Sequence, residues 1–285
     1  MEACTGGDTL VTKEEVERLV AFLDRAVTKL GASGVKCDET EVGLLHQPAA
    51  EVIKCHMAVA AALQVLYVSR VSGRTLREDI KSVGNALTVD LVALGSLLTQ
   101  DNEAAIPACG KCIEKIKKLV LLPLDSKVAV KRRLLRQLAQ IKDTRREVVD
   151  WLAEADGDLG FDDEDEDGIA GADEEDKRVG AAVVDALEGI QVGVKEVLHQ
   201  ITGLEEHPDP ELLERFLDHS VAKSTDQLSM SVLGGVDPDA VTAAVQAGSQ
   251  ALEALASALK GVGCDPAALD GSRELLAAVT VALEG

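Results

Sequence analysis

Ile80, Val83, Leu87, Leu91, Leu94 and Leu98 recur at steps of three and four residues. That spacing puts all six on one face of an α-helix. It returns in Leu134, Leu138, Ile141, Val148 and Leu152, interrupted by polar Arg145, and in Val183, Leu187, Ile190, Val194, Val197 and Ile201. A fourth stripe runs through Val241, Val245, Leu252, Leu255, Leu259 and Val262, with Gly248 at the intermediate step. Each stripe must be buried against another element, and no stretch alternates with the period of two expected of a half-buried strand. The spacing predicts an all-α protein. Aromatic residues make up only 2% of the chain, so the core has to be built from Leu, Val, Ile and Ala, which suits closely packed helices.

Helix ends are marked as clearly as helix faces. Thr12 followed by Glu15 is a capping box ahead of an apolar run. Asp209-Pro210, Asp237-Pro238 and Asp265-Pro266 each pair an N-cap with a proline at the first helical position. These signals predict helices over residues 13–31, 48–70, 74–99, 107–121, 126–155, 177–203, 210–232, 238–261 and 267–283. Most of the breaks between them are short, as in antiparallel bundles.

One break is different. Residues 156–176 hold twelve acids and four glycines, with Leu159, Phe161 and Ile169 the large apolar residues. So little apolar surface cannot offset the entropy of ordering the run, which predicts a disordered acidic linker. Charge changes at the same place. Residues 1–153 carry 22 Lys/Arg and 20 Asp/Glu, whereas residues 154–285 carry 7 and 30, within a chain of net charge −21. The expected organisation is an N-terminal bundle over 1–155, a linker over 156–176 and an acidic C-terminal bundle over 177–285. An acidic half of this kind repels nucleic acid and anionic membrane.

Motifs that carry chemistry are weak. Asp163, Asp165, Asp167, Gly168 and Glu174 fit positions one, three, five, six and twelve of an EF-hand calcium loop. Position eight, however, is Ala170, and no sister loop follows, so a solvated acidic linker is the expected reading. Cys109 and Cys112 form a CxxC without the βαβ setting of a redox motif or the second ligand pair of a zinc site. They are expected to be core thiols, and the six cysteines to be reduced. His46, His56, His199, His207 and His219 show no metal-type spacing, and no phosphate-loop, nucleophile-elbow or dinucleotide fingerprint occurs. The expectation is a non-enzymatic protein without catalytic residues, metal or cofactor. No apolar run reaches the roughly 20 residues of a membrane-spanning helix, and the N-terminus lacks a secretory pattern.

A basic run invites partners instead. Lys111, Lys115, Lys117, Lys118, Lys127, Lys131, Arg132, Arg133, Arg136, Lys142, Arg145 and Arg146 fall on two consecutive helices. Lys131, Arg132, Arg133, Arg136, Arg145 and Arg146 are the candidates for partner contact. The same run also reads as an import signal, as a solvated face, or as a patch on which the acidic half leans.

The segment "SGRTLREDIKSVGNALTVDLVALGSLL" resembles the G-x-T-L segment and following apolar helix of the cyclin-D-binding protein family, also called Grap-and-cyclin-D-interacting proteins. Gly73, Thr75, Leu76 and Leu91 are the matching positions. Residues 125–155 are similar to that family's long helix leading into an acidic loop. Asp226, Leu228 and Ser231 match its D-x-L-x-x-S segment, although Leu233, Gly234 and Gly235 stand where the family has Tyr-Pro-Pro. The resemblance implies two bundles in the style of vinculin and α-catenin and a variable acidic loop rather than a calcium site. It further implies residence in cytoplasm and nucleus, and binding to D-type cyclins and helix-loop-helix transcription factors in the control of cell-cycle progression. A vinculin-type cytoskeletal or membrane adaptor is the second class compatible with this layout.

Overall fold

The computed structural model describes residues 11–34, 42–100, 102–156, 173–204, 208–233 and 235–284. Among these residues the protein is all-α, as the stripes require. Its helices are α1 (Lys13–Gly34), α2 (His46–Val68), α3 (Arg74–Gln100), α4 (Asn102–Val120), α5 (Ser126–Asp156), α6 (Glu174–Gly203), α7 (Pro210–Glu214), α8 (Val221–Met230), α9 (Pro238–Gly261) and α10 (Asp270–Glu284). Short 3₁₀ turns precede α2, follow α7 and precede α10.

Caps sit where the sequence placed them. The Thr12 and Glu15 side chains each accept the other residue's backbone N–H, at 3.2 and 3.1 Å. The Asp237 carboxylate accepts from the N–H groups of Asp239 and Ala240, and Asp209 and Asp265 cap in the same way. At the other end of α9, Gly263 takes φ +75°, and the Cys264 N–H reaches back to the Leu259 carbonyl at 2.8 Å. This left-handed turn ends the helix without the steric cost a side chain would bring.

Several boundaries differ from expectation. The helix expected over 210–232 is broken: α7 ends at Glu214, and Ser220 starts α8 afresh by accepting the Lys223 N–H on its hydroxyl. α4 begins at Asn102, upstream of Pro107, which lies inside the helix rather than at its start. α6 begins at Glu174 because Asp173 caps it through the N–H groups of Glu175 and Asp176. Residues 157–172, most of the expected linker and of the EF-hand pattern, lie outside the described residues; Glu174 is the first residue of α6.

The chain divides into two compact units, residues 1–129 and 130–285. The expected division lay within 156–176, most of which is outside the described residues. In the first unit α1 packs on α2 and α4, α3 packs on α4, and α2 meets α3 along a thinner seam. Val20, Leu23, Val27, Leu76, Leu87, Leu94, Ile116 and Leu119 are among its buried core. In the second unit α6 packs on α10, and α9 on both α8 and α10. Nearly all of α5 belongs here, because Val130, Leu134, Ile141 and Val148 join the α6 and α9 stripes in one core. A helix is assigned to the unit that buries its stripe, and the linker composition that suggested the other boundary has no bearing on that.

Small residues bring α10 close. A Cβ at Gly189 of α6 would come within 2.6 Å of Leu275 Cδ1, and one at Gly248 of α9 within 2.9 Å of Leu276 Cδ2. Gly193 lies against Ser272 and Leu269 in the same manner.

Candidate functional site

In the first unit, the G-x-T-L residues hold the α2–α3 hairpin. The Gly73 N–H donates to Ser126 Oγ at 2.5 Å, and the Ser126 hydroxyl donates to the Val71 carbonyl at 2.7 Å. The Ser72 hydroxyl donates to the Leu66 carbonyl. Thr75 and Leu76 are buried and Leu91 is half-buried. These positions therefore fix the hairpin to the first turn of α5 and face the core. They offer little to a partner directly.

What they position is the outer face of α2 and α3. Thr88 Oγ1 lies 3.2 Å from His56 Nε2, and Arg77 Nε donates to the Tyr67 carbonyl, which sets the two helices antiparallel. Between them runs an open groove of about 370 Å³, lined by Val59, Ala60, Leu63, Ile80 and Leu87 with the polar tips of His56, Gln64, Tyr67, Lys81, Asn85 and Thr88. Burial without a partnering charge lowers the His56 pKa below the ordinary imidazole value, so the ring is neutral at pH 7. Beside the groove, Ile53 is 60% exposed, Met57 65% and Val92 66%, and Val65, Val68 and Val89 are exposed too.

Gly43–Val68 and Arg74–Gln100 are long and apolar enough to cross a membrane by length and composition alone, which by itself is weak evidence of a span, and 22% and 17% of their most apolar windows are buried. Each still turns one stripe into the first unit's core, through Val52, Val59 and Leu66 or Leu76, Leu87 and Leu94. A helix segment without charge on any side, such as residues 57–68 of α2, normally sits inside a core, so its uncovered side is the anomaly. Sequence reasoning missed this face. The available signal was the run from Met57 to Val68, which has no charged residue on any side.

In the second unit, two sets of sequence candidates converge on one groove. It is lined by Arg136, Gln140, Asp143, Thr144 and Glu147 of α5 and by Asp226, Ser229 and Met230 of α8. The Thr144 hydroxyl donates to the Asp226 carboxylate at 2.8 Å, and Gln140 Nε2 donates to its other oxygen. The Ser229 hydroxyl is buried and has no hydrogen-bond partner among the described residues. Met230 stands 72% exposed beside it. Leu228 and Ser231 face inward, the Ser231 hydroxyl closing onto the Leu228 carbonyl.

The basic run is divided between the two units. Lys111, Lys115, Lys117, Lys118 and Lys127 belong to the first unit, and Lys131 through Arg146 to the second. Lys115 pairs with Asp90 and Lys118 with Glu114. Lys131, Arg132, Arg133 and Arg145 are half-buried, whereas Arg136 and Arg146 are exposed. Arg145 Nη2 lies 2.6 Å from Glu188 of α6, and Arg146 lies 3.8 Å from Asp150. The polar interruption in the α5 stripe is thus an ion pair joining α5 to α6.

Cys109 and Cys112 lie on the buried side of α4. Burial, and then the Asp24 carboxylate, push the Cys109 thiol up; its Sγ sits 3.5 Å from the Val27 carbonyl as donor. Burial, with Asp90 nearby, pushes Cys112 up to about 11. A reactive cysteine needs a lowered value, so this pair is held as neutral thiols at pH 7. Among the described residues no cluster of three or more His, Cys, Asp or Glu has metal-binding geometry.

Comparison of the chain with models of known protein families and with curated proteins finds no match.

Proposed function

We propose that this chain is a non-enzymatic protein-binding regulator of cell-cycle progression that takes helices of its partners on the α2–α3 face. The observation that carries the binding is the uncovered apolar surface around Ile53, Met57 and Val92, beside a groove with a few polar tips. Helix-in-groove recognition uses such surfaces, with a few buried apolar anchors supplying most of the affinity. The resemblance of residues 72–98, the segment that contributes half of this face, supplies the partner class: D-type cyclins and helix-loop-helix transcription factors, met in cytoplasm and nucleus. Direct contact with nucleic acid is no part of the reading, since the chain carries a net charge of −21.

A vinculin-type adaptor is the second reading, favoured by the four-helix arrangement of the first unit with its thin α2–α3 seam. Titration calorimetry of the full chain against a purified D-type cyclin, a helix-loop-helix protein and filamentous actin separates the two. Saturable binding of the cyclin or the helix-loop-helix protein, lost in the Met57→Glu, Val92→Glu double variant, supports the regulator. Binding to actin alone replaces it with the adaptor.

A further inference from the structure

We infer that the α2–α3 face selects a partner helix whose apolar stripe is flanked by carboxylates. The inference rests on the reading of this face as a protein-docking surface and adds the chemistry of the occupant.

Size sets the first requirement. The exposed line from Ile53 to Val68 covers about 22 Å at the helical rise, which calls for an occupant of roughly four turns. On α2, Ile53, Met57, Ala60 and Gln64 follow one another at helical steps; on α3, Lys81, Asn85, Thr88 and Val92 do the same. The antiparallel contact of His56 with Thr88 places Ile53 and Met57 opposite Val92 and Thr88, so the apolar line continues beyond the groove.

Charge sets the second. Lys81 lines the groove and no carboxylate does. Of the other carboxylates on the two helices, Glu51 pairs with Lys29 of α1 at 2.8 Å and Asp90 with Lys115 of α4 at 3.5 Å. Lys54 is exposed on the same side as Met57. At the hairpin end Arg70, Arg74 and Arg77 outnumber Glu78 and Asp79. The fixed charge along the face is positive in a chain whose net charge is −21. A second copy would set cations against cations and bring two chains of net charge −21 together, which disfavours self-association. A helix with Asp or Glu beside its apolar stripe meets the lysines with opposite charge, which speeds encounter and fixes orientation.

The test uses the full chain and two synthetic helical peptides of about 18 residues, each with a leucine stripe at helical spacing, one flanked by Glu and the other by Lys. Fluorescence anisotropy is expected to show the Glu peptide binding at least about tenfold tighter, the advantage shrinking between about 50 and about 500 mM salt. Lys54→Glu with Lys81→Glu should reverse the preference. Ile53→Ser with Met57→Ser and Val92→Ser should abolish binding of both peptides while the helical circular dichroism is kept. Equal or tighter binding of the Lys peptide overturns the charge assignment and leaves the docking face standing. Binding of neither peptide, or binding untouched by the serine variant, overturns the docking face itself. Sedimentation of the full chain as a dimer that the serine variant dissociates assigns the face to a second copy instead. Binding to neutral phosphatidylcholine vesicles that the serine variant loses assigns it to lipid.

Discussion

Thr144 on α5 donates its hydroxyl to the Asp226 carboxylate on α8 at 2.8 Å, joining two residues 82 apart in sequence. Gln140, one turn earlier, supplies a second donor to the same carboxylate. Hydrogen bonds to charged groups are worth about 1.5–3 kcal/mol, and Thr144 is buried. Thr144→Val is therefore expected to lower unfolding stability by about 1–2 kcal/mol in urea titration, since Gln140 still holds one oxygen. Asp226→Ala should cost at least as much, because it removes the acceptor shared by both donors and leaves the buried Thr144 hydroxyl unpaired. An unchanged urea midpoint in both variants would show that α8 is held by its apolar contacts alone.

The glycine contacts of α10 make a second prediction. Gly248→Ala puts a methyl against Leu276, and Gly189→Ala puts one against Leu275. Overpacking of this kind costs about 1–3 kcal/mol. Gly248→Ala is expected to be the worse of the two, because Leu276 is buried and Leu275 is exposed enough to rotate away. Thermal melts ranked in the opposite order would refute the seating of α10 described above.

Cys109 and Cys112 should resist alkylation. In the folded chain at pH 8, iodoacetamide followed by peptide mapping is expected to label the half-buried Cys55 and Cys264 well before either. In urea all four should react at similar rates. Folded Cys112 has a pKa of about 11, against 9.0 for the free thiol, so the folded state holds its proton more tightly. The stability this contributes is complete below about pH 9 and is lost as pH rises toward about 11. Urea midpoints measured across that window should fall more steeply for the natural chain than for Cys112→Ala.

The position of α5 is open to a fragment experiment. Residues 130–285 contain all but the first turn of α5, with α6 and the helices that complete their core, whereas residues 177–285 lack Val130, Leu134, Ile141 and Val148. The longer fragment is expected to unfold cooperatively, and the shorter one to melt at lower temperature and bind a hydrophobic dye. Trp151, packed on Gly180, offers a fluorescence signal for the docking of α5. Equal stability of the two fragments would place the boundary after α5 after all.

The exposed α2–α3 residues should contribute little to folding. Ile53→Ser, Met57→Ser and Val92→Ser are each expected to change stability by no more than about 0.5 kcal/mol, because surface substitutions usually stay within that range. Dye binding to the native chain should drop. A large destabilisation would mean that these side chains belong to a core.

Much of this fold is legible in single stretches of chain. A capping box, three Asp-Pro starts and four stripes are local patterns, and local hydrogen bonds and helical periodicity decide them; Thr12, Asp237 and Leu187 behave as their neighbours require. The candidate site was legible only in pieces. Arg136 and Asp226 were both singled out by sequence, but nothing local could bring them to one groove. Arg145 stood out as a polar residue in an apolar stripe, yet its partner Glu188 lies 43 residues away. An amphipathic stripe states that a helix must be covered without naming the helix that covers it. For that reason tertiary packing alone assigned α5 to the second unit and left one side of α2 and α3 bare.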